Sequence, residues 1–277
     1  MKDYTPNSVD HVTVPGNLVG FMNSQVGIYL NKVTEAYPPS KFDSADVFNG
    51  VGGRAYMFLR LYQRFGMSDK NQTYLDIANQ YIQTSLNNIN SISSKYCGFM
   101  WGNTGVYSVA AVIADMYDDK TSSQGYIDEL KNIFVQATDD NYALYDDFDA
   151  GRAGLLYAAS FLKEYFGQDV INRSSIVDIG KAIVRRGKQL SSEPTQYLEW
   201  ISPNDGGKWL GSSHGSSGIL SQLLEVEELL EEDTESFSLI VGTLNHIVAS
   251  QLPSGNFPSE YYADTDDVLV QWDHGAP

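Results

Sequence analysis

Four times along this sequence a Gly-x-x-Gly pair opens an apolar run. Gly50–Gly53 precedes RAYMFLRLYQRF, Gly102–Gly105 precedes VYSVAAVIADMY, Gly151–Gly154 precedes LLYAASFLKEYF and Gly215–Gly218 precedes ILSQLLEVEELL; a fifth such start begins at Gly275. A helix that begins on glycine lets another backbone or a ligand come close, and its exposed N–H groups form an anion-friendly rim. Several such starts gathered at one end of a ring would build a shared pocket. Side chains able to do acid, base or metal chemistry lie beside these glycines: His214 before Gly215, Asp273 and His274 before Gly275, and Asp147 four residues before Gly151. Imidazole is the side chain whose charge changes between about pH 5 and 8, so it suits proton transfer. Each residue also has a plain structural reading. A histidine at a helix start often serves as a cap or a core hydrogen-bonder, and Asp147 lies in an acidic loop, YDDFDAG, that solvation alone would explain.

The elements that would carry these residues follow from periodicity. The first glycines of successive pairs are 52, 49, 64 and 60 residues apart, room for the quoted run, one more helix and two loops. Within the runs apolar residues recur three and four apart: Ala55, Leu59, Tyr62; Val106, Val109, Ile113, Met116; Leu155, Ala158, Leu162, Tyr165; Ile219, Leu223, Val226, Leu230. Between them, more amphipathic stretches over about 18–36, 71–90, 124–138, 173–190 and 234–250 read as an outer helical layer. The repeat is therefore a helical hairpin. The fold class expected is all-α, an α/α toroid (double-layered helical barrel) in which inner helices ring an axis and outer helices cover them. One domain over 1–277 is expected. It is expected to be incomplete, because the chain stops at Asp273-His-Gly-Ala-Pro277, where the next inner helix should begin.

Composition narrows the function classes. With 18 basic against 35 acidic residues, a formal net charge of −17, the surface repels phosphate backbones and anionic headgroups, which argues against nucleic-acid binding. Cys97 is the sole cysteine, so no intrachain disulfide can form, and a small buried hydrophobe is its expected role. His246, on an outer helix, reads as structural, and His11 carries no signal. The first residues lack a signal-peptide core, and no stretch approaches the ~20 apolar residues of a membrane helix. A cytoplasmic protein is expected, with peripheral membrane association left open.

Three segments together carry a family resemblance: Gly206-Gly-Lys-Trp-Leu-Gly-Ser-Ser-His-Gly-Ser-Ser-Gly218, Gly151-Arg-Ala-Gly-Leu-Leu-Tyr-Ala158, and Ser254-Gly-Asn-Phe-Pro-Ser259 followed by Val268-Leu-Val-Gln-Trp-Asp-His-Gly-Ala-Pro277. From about residue 45 onward the chain resembles the LanC-like proteins, eukaryotic relatives of the lanthipeptide cyclases. The resemblance implies an α/α barrel of about seven hairpins, of which this chain supplies four and the start of a fifth. It implies one zinc ion held by two cysteines and a histidine, and a thiolate that adds to dehydroamino acids. The thiol is glutathione in the eukaryotic members, which cap dehydroalanine or dehydrobutyrine in damaged proteins. A thiol of pKa ~8.5 is mostly protonated at neutral pH, and zinc deprotonates it outright.

Carried over position by position, the resemblance makes His214 and Asp147 the catalytic acid/base pair, with Gly151, Arg152, Gly215 and His274 lining the pocket. The first zinc ligand, the cysteine of the family's Trp-Cys-His-Gly-Ala-Pro motif, is Asp273 here, a harder donor than thiolate. The adjacent Cys-His pair that completes the family's site belongs to a later repeat, and Val268 stands where an arginine is frequent. Zinc is therefore expected to be absent from this chain, and activity to be impaired. The alternative reading is a zinc-free glutathione- or peptide-binding regulatory module. A glycosidase of the α/α class, using paired carboxylates, is disfavoured by the two His-Gly motifs.

Overall fold

A computed structural model describes residues 17–66, 73–193, 196–261 and Trp272. Among them the chain is all-helical: α1 (Leu18–Ala36), α2 (Val51–Phe65), α3 (Tyr74–Asn87), α4 (Asn103–Met116), α5 (Lys120–Gln136), α6 (Arg152–Phe166), α7 (Arg173–Leu190), α8 (Ser216–Leu223), α9 (Glu227–Glu232) and α10 (Thr234–Ala249). An isolated β-bridge joins Trp209 and Glu260.

The glycine-led runs are the inner helices. α2, α4, α6 and α8 touch in series, while α3, α5 and α7 pack on α2, α4 and α6 as hairpin partners; α7 also meets α5 and α10. This is the two-layered arrangement of an α/α toroid. The stripes expected at three- and four-residue spacing are the buried ones: Ala55 and Leu59; Val106, Val109 and Ile113; Leu155, Ala158 and Leu162. Aromatic rings fill the space between inner helices. Tyr56 and Tyr157 touch through their hydroxyls at 3.2 Å, and Phe99 stands edge-on to Tyr157 and Phe161 at centroid distances of 4.9 and 5.6 Å.

Apart from α7, whose N-cap Asn172 makes no side-chain cap bond, the outer and inner helices begin differently. α1, α3, α5 and α10 start on the side chains of Asn17, Thr73, Asp119 and Asp233, each accepting from the backbone N–H three residues on. α2, α4, α6 and α8 start on Gly50, Gly102, Gly151 and Gly215, none of which has a side chain to cap with. Instead the preceding loop curls back under the helix. The Val51 amide donates to the Ser44 carbonyl, Arg152 and Ala153 to Tyr145 and Asp146, and Ser216 and Ser217 to Trp209 and Leu210. In α6 and α8 the first two N–H groups are thus consumed by backbone, and in α2 the first is, which removes much of the anion-friendly rim expected from the glycines. The glycines are required by crowding. A Cβ on Gly53, Gly105, Gly154 or Gly218 would overlap the carbonyl oxygen of the residue six positions earlier: Val47, Phe99, Phe148 or Ser212.

Two expectations fail in detail. The run ILSQLLEVEELL is not one helix, because α8 ends at Leu223 and α9 begins at Glu227. An unbroken helix would place Glu225, Glu227 and Glu228 toward its negative C-terminal end. The break instead moves Glu227 and Glu228 into the first turn of a new helix, where the dipole favours them. It also shifts the buried stripe, so that Leu229 rather than Leu230 faces inward beside Val226. The amphipathic stretches at either end face less of the core than expected. In α10 Ser236, Leu239 and Ile240 are buried while Phe237 is exposed, and α1 leaves Leu18, Phe21, Met22, Ile28 and Tyr29 in solvent.

Candidate active site

The loops that precede the inner helices meet at one end of the molecule and are tied to one another in order. The Val47 and Phe48 amides donate to the Met100 carbonyl, Met100 and Trp101 donate to Asp149, Phe148 donates to Ser213, and Ser212 donates to Trp272. Each loop therefore presents the residues just before its first glycine beside those of the next. In this register Trp101, Ala150, His214 and His274 are equivalent, as are Met100, Asp149, Ser213 and Asp273.

His214 and Asp147 share a cavity of about 240 Å³, walled by Trp101, Tyr145, Ala150, Ser202, Asn204, Asp205 and Trp209. The His214 side chain is about one-third exposed, 32%, and its Nε2 lies 3.6 Å from Asp149 Oδ2. The edge of its ring meets Trp101, with centroids 5.9 Å apart. The outer wall is the loop at 201–209, joined to the inner loop by the Tyr145 hydroxyl, which donates to Asn204 Oδ1 at 2.6 Å. Lys208, 2.8 Å from buried Glu199, anchors that loop at its far end.

The acidic loop is not solvated. Asp146, Asp147 and Asp149 are all buried, which overturns the plain reading of YDDFDAG. Burial pushes the Asp147 carboxyl up to about 7, with Asp149 and Asp146 adding to the rise, against hydrogen bonds from the Ala150 and Gly151 amides that lower it. The Ala150 amide donates to Asp147 Oδ1 at 2.7 Å. A carboxyl that exchanges its proton near neutrality, beside an imidazole in a half-open cavity, can take part in acid–base chemistry.

The remaining sequence candidates separate. Gly151 and Gly215 start α6 and α8 and hold the two loops in place. Arg152 is fully buried with its guanidinium turned away from the cavity lining: it pairs with Asp146 at 2.7 Å and Asp140 at 2.6 Å and donates to the Ala137 carbonyl. Its role is to neutralise Asp146 and hold the loop to the end of α5. Asp273, His274, Val268 and His11 lie outside the described residues. Cys97 is buried beneath α4, its thiol pushed up to about 12 by burial, as expected of a structural cysteine. His246 stacks on Tyr197 at 4.0 Å and on Tyr261 at 5.2 Å.

Residues 41–277 match the family described as lanthionine synthetase C-like protein. The chain belongs to this family. It is 29% identical over 237 residues to glutathione S-transferase LANCL1 of Danio rerio, covering 83% of this chain and 55% of that protein. To LanC-like protein GCL1 of Arabidopsis thaliana it is 27% identical over 237 residues, covering 83% of this chain and 52% of that one. It spans about half the length of these curated relatives. Among the described residues no three His, Cys, Asp or Glu side chains gather as a metal centre. They do not by themselves fit the zinc ion implied by the resemblance. No helix among them is long and apolar enough to cross a membrane.

Sequence reasoning missed Asp149, Trp101, Tyr145 and Asn204 as members of the site. A signal existed for two of them: aligning the repeats on their first glycines puts Asp149 level with Ser213 and Asp273, and Trp101 level with His214 and His274.

Proposed function

We propose that this chain carries the acid–base half of a LanC-like site that adds a thiol, glutathione in the first instance, to dehydroamino acids in peptides or proteins. The observation that supports this is the convergence of His214 and Asp147, from loops of different repeats, on one cavity. In the reaction the thiol sulfur bonds to the β-carbon of the dehydroamino acid, and the C=C electron pair moves toward the carbonyl as an enolate. A proton delivered to the α-carbon completes the addition, and the thiol loses one, so nothing else is consumed or released. His214 and Asp147 serve these two proton movements, with Trp101 and Trp209 as flat walls for the acceptor peptide. The similarity to a glutathione S-transferase supports glutathione as donor.

A dehydroalanine peptide incubated with glutathione and the purified chain should gain the mass of one glutathione faster than in buffer. His214→Gln should lower that rate by about 10² or more, the usual contribution of a positioned acid or base. Formation at the buffer rate would sink the reading. The carboxylate Asp273, in place of the family's thiolate, favours a second reading, a zinc-free module that binds glutathione or peptide without turnover. Saturable binding with no adduct would select it.

A further inference from the structure

Asp149 has no place in the chemistry just described, yet it is fully buried and lies beside His214, which lines the cavity. Its carboxylate stands between two residues of the next repeat. Ser213 Oγ donates to Asp149 Oδ2, and Nε2 of His214 lies 3.6 Å from the same oxygen. The Ser213 hydroxyl points its proton at the carboxylate and not at the imidazole, so the trio is not a nucleophilic Ser-His-Asp arrangement. The backbone repeats the connection, because the Met100 and Trp101 amides donate to the Asp149 carbonyl and the Phe148 amide donates to the Ser213 carbonyl. Asp149 is thereby fixed at both its main chain and its side chain.

We infer that Asp149 is a positioning residue for His214: its buried carboxylate holds the Nε2 side of the imidazole against the cavity wall and leaves Nδ1 as the nitrogen that exchanges a proton with substrate. This rests on the proposed acid–base role of His214 and names what makes that role possible. At 3.6 Å the attraction is electrostatic and beyond hydrogen-bond length, and it starts from a buried carboxylate whose charge is less screened than one in water. The other polar groups facing the imidazole come from every side of the cavity: Asp147 and Tyr145 on the loop before α6, and Ser202, Asn204 and Asp205 on the outer loop. Asp149, behind that lining, stands within ion-pair distance of the ring. Its charge also adds to the forces that keep Asp147 protonated.

The test is made on the full chain, with two readouts. In imidazole ¹³C–¹H relaxation the His214 ring, assigned by its loss in His214→Gln, should be rigid, with an order parameter of about 0.8. In Asp149→Asn it should fall below about 0.6. In the thiol-addition assay Asp149→Asn should lower kcat by about tenfold to a hundredfold with KM little changed, and should have no further effect in a His214→Gln background. An equally rigid ring in Asp149→Asn, or the same kcat loss in both backgrounds, would overturn the inference. Should the chain show no transferase activity, the proposed function fails but the relaxation arm still decides this one. Should Asp149→Asn not fold, Ser213→Ala decides: removing the competing hydroxyl leaves Oδ2 to the imidazole, so the ring must stay as rigid as before, and a loosened ring overturns the inference.

Discussion

The indole of Trp101 and the imidazole of His214 meet edge to face, 5.9 Å between centroids, although they come from the second and fourth repeats. Each stands immediately before its repeat's first glycine, so the contact joins equivalent positions on different inner helices. Trp101 thus gives His214 a wall. Trp101→Ala should remove that wall and lower kcat/KM for thiol addition by about tenfold, whereas Trp101→Phe should cost much less. This follows the ~0.5–1.5 kcal/mol worth of such ring pairs. Equal effects of the two substitutions would show that the ring contact is idle.

The crowding at the helix starts predicts where alanine is not tolerated. In Gly154→Ala the new methyl would overlap the Phe148 carbonyl and crowd the Phe99 amide, both main-chain groups that cannot rotate away. A loss of about 3 kcal/mol or more is expected from such overpacking against backbone. Gly125→Ala, in α5 where nothing lies within 4 Å, is the control and should be neutral or slightly stabilising. Urea melts of the two variants compare them directly. Similar midpoints would contradict the packing account.

Arg152→Met should destabilise the chain by about 3–5 kcal/mol, since it strands the buried Asp146 carboxylate with only the partly exposed Arg186 as partner, 3.3 Å away. Adding Asp146→Asn should restore much of the loss. If the double variant is no more stable than the single one, the buried pair is not what Arg152 contributes.

Asp147 makes stability depend on pH with a definite sign. Its folded value of about 7 lies above the ~4 of an unfolded aspartate, so between these limits the folded chain binds more protons. Stability from this residue is therefore greatest below about pH 4 and declines as pH rises toward 7, by at most about 1.4 kcal/mol per unit. Asp147→Asn lacks the titration, so its advantage over the parent should be larger at pH 8 than at pH 5 in denaturant melts. A difference independent of pH would refute the assignment.

Cys97 should resist thiol reagents in the native state, because it is buried and its thiol is pushed up to about 12. Labelling should proceed only at the rate of unfolding. Rapid stoichiometric labelling of folded protein would show an opening of the loop under α4 that the packing does not suggest.

Much of the fold was legible because helices advertise themselves locally. The amphipathic stretch over about 173–190 coincides with α7, and the glycine pairs marked the inner helix starts. The break at Leu224–Val226 was hidden because apolar spacing continues through it, and the deciding factor, where glutamates sit relative to a helix dipole, is not periodic. The site was legible only in part. His214 and Asp147 stood beside motif glycines, but the partnership of Asp149 with Ser213 spans 64 residues and depends on how two loops curl back under their helices. Charge composition misled in the same region, since the three aspartates of YDDFDAG looked like a solvated surface and are buried around Arg152 and the cavity.

The joints between neighbouring repeats are made by main chain: an amide of one loop rests on a carbonyl of the next, from Val47 on Met100 through to Ser212 on Trp272. A joint of that kind makes no demand on the side chain that passes through it. The position two before the first glycine can accordingly be phenylalanine, methionine, aspartate or serine in turn, as Phe48, Met100, Asp149 and Ser213 are, while the frame holds its shape. Such a rim is a socket with interchangeable fittings, in which new reactivity can be installed one residue at a time without renegotiating the architecture.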